Sequence, residues 1–302
     1  MKITPNQGTL GARIEGIDLS QPITPADFAT VLRSLGDHSV LWFPDQKLDA
    51  RSLKAFSERF GSLQGSPTGT YCEPDVPEVM LLSNIMENGK PIGLADAGQD
   101  WHTDMSYNDL IGFINVLHGI KIPRRNGKAL GNTVFADMQA AYEDLSSDLK
   151  ARLATATATH DFNKFWEEMR SRPGSIRPPL TPEQRAQRPP SVHPVFLTHP
   201  LTGRKILYAN PGYTVRINEL DEEESDEVLA ELFRHQLQPK YQYAHQWTEG
   251  DVLMWDHIGT LHYAKPDYAP DEHRLIKRCQ VMADRIFDPD FRRKALMLEA
   301  TA

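Results

Sequence analysis

Cysteine is scarce in this 302-residue chain: Cys72 and Cys279 are its two copies, far apart, so a disulfide scaffold is excluded. Long apolar runs are missing too. No stretch approaches the roughly 18 uninterrupted apolar residues of a membrane-crossing helix. The opening Met1-Lys2-Ile3-Thr4-Pro5-Asn6-Gln7-Gly8 lacks the apolar core of a secretory signal. The expectation is a cytoplasmic protein without a membrane partner. Positive charge is in short supply, with 33 Lys and Arg against 41 Asp and Glu, a net −8, and no basic run able to follow a phosphate backbone. Nucleic acid is therefore not an expected partner. Internal repeats are absent, and helices do not alternate with strands in a βαβ rhythm.

What is present fits an ordinary globular composition, 40% of the AVILMFWYC set and 25% charged. The 22 prolines and 19 glycines favour short strands and loops over a helical bundle. Thr24-Pro25-Ala26-Asp27 reads as a helix start, with Phe28, Val31, Leu32 and Leu35 on one face and Gly36 as the stop. A second helix is expected over 50–60, with others over 140–153 and 222–235. Strands are expected over 38–44, 78–83, 111–120, 133–137, 195–198, 205–209, 241–247, 251–255 and 275–282. Residues 173–194 carry seven prolines among Arg177, Arg185 and Arg188 and read as a long irregular loop. These features describe a single domain over 1–302, β-rich with a few helices, with a proline-rich excursion or lid at about 155–195.

Chemistry enters with Trp101-His102-Thr103-Asp104. On a strand or strand end, residues two apart project to the same face, so His102 and Asp104 can share a metal ion. A third ligand candidate, His262, follows the apolar stretch Asp251 to Trp255. Two histidines and one carboxylate form the facial triad that leaves open positions for non-haem Fe(II) oxygen chemistry. Further on stand Arg274 and Arg278, four apart, which on a strand face the same side. Arginine recognises carboxylates bidentately, so this pair suggests an acidic co-substrate near the metal. Trp101 and Trp255 read as core packing beside the ligands.

The chain resembles the taurine dioxygenase and phenoxyacetate dioxygenase family of Fe(II)/2-oxoglutarate-dependent oxygenases. The likeness covers most of the chain: Gly11 to Leu19, Phe60-Gly61-Ser62-Leu63, Trp101 to Asp104, Gly131 to Met138, Trp255-Asp256 to His262, and Arg274 with Arg278. It implies a double-stranded β-helix, the jelly-roll architecture, with flanking helices. It implies Fe(II) on His102, Asp104 and His262, the distal carboxylate of 2-oxoglutarate on Thr133 and Arg274, and an anionic substrate near Arg278. It further implies O₂ as oxidant, succinate and CO₂ as co-products of C–H hydroxylation, and a homo-oligomer, dimer or tetramer.

Some positions depart from close relatives. Where taurine-specific relatives place a sulfonate-binding His and an Asn, this chain has Ser66 and Gly98, which argues against taurine itself. The usual Trp-Asp-Asn-Arg reads Trp255-Asp256-His257-Ile258. Lys164, beside Phe165 and Trp166, is a candidate lid cation, and Tyr71, Asn84 and Tyr107 fall near the expected pocket. Ser83 to Lys90 resembles a segment of isonitrile-forming oxidases of amino-acid derivatives, so sulfonates, aryloxy acids and amino-acid derivatives are all candidate substrates. Two other classes stand beside the oxygenase reading: a metal-binding jelly roll acting as hydrolase or isomerase, and a sensor that kept only the fold.

Overall fold

The computed structural model describes residues 1–65, 70–172 and 177–297. A nine-stranded sheet forms its spine. The order is Lys2–Pro5, Ala12–Glu15, Val40–Phe43, Val252–Asp256, Gly112–Lys121, Leu275–Met282, Val76–Ser83 and Cys72–Glu73, with Leu63–Gln64 also paired to Leu275–Met282. Facing it is a three-stranded sheet, Gln242–His245, Thr133–Asp137 and Thr260–Ala264. A third small sheet joins Thr157–His160 to Ser191–Pro194 and Thr214–Ile217. Sequence neighbours are often sheet strangers: Gly112–Lys121 lies between strands that begin at Val252 and Leu275.

The two-residue period of extended backbone sorts side chains between two cores. On Gly112–Lys121, Ile114 and Val116 join a core with helices Pro25–His38 and Ala50–Ser57. Asn115 and Leu117 point the other way, into the space between the sheets. There Phe135 of the small sheet meets Leu253, Trp255 and Ile276 of the large one. A further core, with Val195, Leu207 and Ala209, is roofed by Val228, Leu229 and Leu232 of the helix Glu222–Gln236.

Strands over 133–137 and 275–282 form with the expected ends. The helix from Pro25 does not stop at Gly36 but continues to His38, with Ser39 left-handed at φ 57° as its cap. Gly36 serves packing instead, since a Cβ there would lie 3.1 Å from Leu201 Cβ. The expected helix over 140–153 is two, Met138–Glu143 and Ser147–Arg152, because Ser146 caps a new start. The proline-rich stretch is also less irregular than expected. Within it Thr181 and Gln184 close a capping box around the short helix Pro182–Ala186, with Pro at the first turn, and Ser191–Pro194 is a strand.

Candidate metal and co-substrate site

Between the sheets lies a cavity of about 430 Å³ whose wall includes His102, Asp104, Thr133, His262, Arg274 and Arg278. All six residues singled out in the sequence are thus together. His102 is not in a long strand: it makes one antiparallel bridge with His262, and the chain then turns, bringing Asp104 back beneath it. Backbone bonds in both directions, His102 N to His262 O at 3.1 Å and His262 N to His102 O at 2.9 Å, tie ligands that are distant in sequence. Donor atoms of His102, Asp104 and His262 all lie within 4.8 Å of one another.

The surroundings prepare these side chains as ligands. His102 Nδ1 donates to the carbonyl oxygen of Asp100 at 2.7 Å, which turns Nε2 toward Asp104 and the cavity. His102 Nε2 is 3.4 Å from Asp104 Oδ1, and His262 Nε2 is 3.9 Å from Asp104 Oδ2. Burial alone would raise the Asp104 carboxyl, but the His102 hydrogen bond and the nearby charges of His102, Arg278 and His257 hold it well below the usual range. Burial, then the neighbouring His102 charge, keeps His262 neutral. A carboxylate held anionic and two imidazoles are the donor set of a divalent metal, and they fit iron(II). Phe165 lies against the His102 ring at 5.0 Å, and Trp255 against His262 at 4.7 Å.

Arg274 is 5% exposed, lies 6.0 Å from the Tyr268 ring and forms no ion pair among the described residues, and its Nε has no hydrogen-bond partner. A buried guanidinium without a carboxylate is costly, and beside the triad it is suited to hold an anion. Its backbone is pinned by Asn84 Oδ1, which accepts from Arg274 N at 2.8 Å, while Ser83 Oγ donates to Arg274 O at 2.7 Å. Asn84 therefore positions the arginine rather than facing the cavity. Gly131, at φ +71°, makes the close approach possible, since a Cβ there would lie 3.2 Å from Arg274 Nε.

Arg278 Nη1 stands 3.8 Å from Asp104 Oδ2 and its Nη2 contacts Met80 Sδ at 3.2 Å. Trp101 packs on Tyr263 at 4.6 Å, as a core residue does, whereas Trp255 also lines the cavity. Lys164 does not face the cavity: its Nζ donates to the carbonyls of Pro211 at 2.5 Å and Thr214 at 2.9 Å. Tyr71, Tyr107 and Gly98 are on the cavity wall, and Ser66 lies outside the described residues. Sequence reasoning missed Asn115, whose Nδ2 donates to Asp104 Oδ2 at 2.8 Å; its signal was a polar residue inside the apolar run Phe113 to Leu117. It left His257 without a role; this buried imidazole has Nε2 3.8 Å from Asp104 Oδ2.

A jelly roll with a His/Asp/His cluster and an unpaired buried arginine between its sheets defines a mononuclear-iron, 2-oxo-acid-dependent oxygenase. Residues 2–280 match the taurine catabolism dioxygenase TauD, TfdA family, and the chain belongs to it. It is 36% identical to pentalenolactone F synthase of Streptomyces avermitilis, over 96% of each chain. It is 30% identical to an alpha-ketoglutarate-dependent 2,4-dichlorophenoxyacetate dioxygenase of a Burkholderia species, over 90% of this chain and 91% of that one. Among solved structures it is similar to AAD-2 in complex with Mn(II) and N-oxalylglycine, with a TM-score of 0.77 and 25% identity over 93% and 96% of the two chains. The protein is thus a dioxygenase that uses Fe(II), 2-oxoglutarate and O₂. The hydrolase, isomerase and sensor readings fall away. No helix among the described residues is long and apolar enough to cross a membrane.

Proposed function

We propose that this dioxygenase hydroxylates a C–H bond of a small organic acid with a bulky apolar body. His102, Asp104 and His262 hold the iron; Thr133 and Arg274 hold the distal carboxylate of 2-oxoglutarate; Arg278 meets the acid group of the substrate. The iron supplies O₂ activation coupled to decarboxylation of 2-oxoglutarate, which yields succinate, CO₂ and the hydroxylated product. The protein's own task is positioning and exclusion of water. Asn115 and the Asp100 carbonyl fix the ligands from outside, and Phe165, Tyr213 and Trp255 surround the imidazoles with rings.

The observation that carries the anionic substrate is the unequal use of arginines around the cavity. On the proline-rich segment Arg172 pairs with Asp100, Arg177 with Asp96 and Arg185 with Glu167. Arg188 lines the cavity too, but sits 4.2 Å above the Phe162 ring and has no carboxylate partner among the described residues. Arg278 and Arg188 thus share the cavity wall with the apolar Leu82, Phe162, Phe165 and Trp166, a lining suited to an acid with an apolar body. The relative named for 2,4-dichlorophenoxyacetate, itself an aryl-bearing acid, supports this class.

The test is succinate release with aryloxy acids, sulfonates, amino-acid derivatives and polycyclic carboxylic acids, each against its neutral ester or amide. We expect turnover with an acid and little with its neutral form. Arg278→Ala should raise KM for the acid by at least about tenfold, the loss of a hydrogen-bonded ion pair, with the KM for 2-oxoglutarate little changed. Arg274→Ala should do the reverse. Equal effects of both substitutions on both ligands would break the assignment.

A further inference from the structure

Thr133 is buried, and its hydroxyl has one hydrogen-bond partner among the described residues, the Nε1–H of Trp247, 3.1 Å away. An indole N–H only donates, whereas a hydroxyl has one proton and two lone pairs. The bond therefore occupies a lone pair of Thr133 and leaves its proton to be given away. Thr133 lines the cavity and Trp247 does not, so the indole reaches the hydroxyl from behind.

Trp247 is itself held closely. It is 1% exposed, and the Gly119 backbone passes so near that a Cβ there would lie 3.1 Å from its Cε3. His245 packs edge-on to the indole at 5.1 Å and is fixed in turn by Asp251, at 3.1 Å from its Nε2. Asp251 also accepts from Thr248 N at 2.8 Å. His245 is the cross-strand register partner of Thr133, so indole and threonine belong to one rigid unit.

We infer that Trp247 is a positioning residue for the co-substrate, directing the Thr133 hydroxyl proton into the cavity so that it can only be donated to the distal carboxylate of 2-oxoglutarate. This rests on the placement of that carboxylate on Thr133 and Arg274 proposed above. Donation into the carboxylate is charge-assisted, and a hydroxyl already accepting a hydrogen bond is a stronger donor. The distal carboxylate is what separates 2-oxoglutarate from shorter 2-oxo acids, so Trp247 bears on co-substrate choice without touching the co-substrate.

The test is anaerobic calorimetry of 2-oxoglutarate and of pyruvate, which lacks the distal carboxylate, binding to the Mn(II)-loaded protein. Trp247→Phe should weaken 2-oxoglutarate about tenfold, near the worth of one hydrogen bond to a charged group, and leave pyruvate and Mn(II) affinities unchanged. The double variant Trp247→Phe/Thr133→Val should bind 2-oxoglutarate no more weakly than Thr133→Val alone, since both remove one interaction. Additive losses, equal weakening of pyruvate, or a Trp247→Phe affinity within twofold of the parent would each overturn the inference. A second measurement needs no variant: in the Zn(II)-loaded parent labelled at the indole nitrogen, the Trp247 N–H resonance should move with 2-oxoglutarate and not with pyruvate. A resonance that responds to both ligands alike, or to neither, counts against it. If the metal-loaded parent fails to bind 2-oxoglutarate at all, the co-substrate assignment itself is wrong, a result distinct from all of these.

Discussion

Asp104 is buried and yet anionic, and at the residue scale the site depends on that. His102, His257, Arg278 and Asn115 all face its carboxylate, so removing it leaves several groups arranged around nothing. Asp104→Ala and His102→Ala should each abolish iron-dependent succinate formation while the circular dichroism of the fold persists; retained turnover would mean that the ligands are elsewhere. His160 provides a prediction away from the metal. It is fully buried, with Nδ1 3.2 Å from Ser106 Oγ, and burial with the charges of His193 and Lys164 lowers it to about 3. Unfolded, it titrates near 6.5. Between those values the unfolded chain binds a proton that the native one refuses, so stability falls as pH drops below 6.5. The loss from this residue is about 2 kcal/mol at pH 5. Denaturant midpoints of His160→Asn should therefore depend less on pH than the parent's between 5 and 7, and an unchanged slope would refute the assignment. The triad residues and both arginines were legible because each sits in a local motif. Asn115, Trp247 and Arg188 were not, because a contact outside its own local motif gives each its role: Asn115 with Asp104, Arg188 with the Phe162 ring, and Trp247 with Thr133, 114 positions away.

Among the elements, what was legible is where local chemistry and tertiary packing agree. Thr133–Asp137 and Leu275–Met282 are apolar runs buried on the sheets, and their ends follow from composition. The helix from Pro25 shows the opposite case: Gly36 looks like a stop, but its lack of a side chain is used against Leu201, and the left-handed turn falls on Ser39. A non-glycine residue in that conformation is strained, so Ser39→Gly should stabilise the protein by about 0.5–1 kcal/mol, read as a raised thermal midpoint. A lowered midpoint would show that the serine side chain contributes more than the strain costs. The proline-rich segment looked irregular because proline excludes helix interiors, yet Pro182 at a first turn is compatible with helix. Its ion pairs, Arg172 with Asp100 and Arg177 with Asp96, tie it to the 96–100 stretch that leads into His102. Arg177 is largely buried, bonds Asp96 through two nitrogens and lies 4.8 Å from the Trp166 ring. Arg177→Gln should therefore lower the thermal midpoint by at least about 2 °C and raise KM for the acid substrate; an unchanged midpoint would show that the pair adds nothing to stability.

For the molecule as a whole, two sheets bring distant segments to one cavity: residues 102–104, 133, 262 and 274–278 meet although they span more than half the chain. The jelly roll was legible only through several separated motifs taken together, since no composition or period specifies which strands pair. The order that places Gly112–Lys121 between Val252–Asp256 and Leu275–Met282 is a property of the closed fold. The central claim is that this architecture binds iron and 2-oxoglutarate in one site through the triad and Arg274. Anaerobic addition of Fe(II) and then 2-oxoglutarate to the purified protein tests it most directly, through the weak visible metal-to-ligand charge-transfer band of the chelated complex. The band should appear in the parent and be lost, at the same 2-oxoglutarate concentration, in Arg274→Ala. Absence of the band with iron demonstrably bound, or its persistence unchanged in Arg274→Ala, would contradict it.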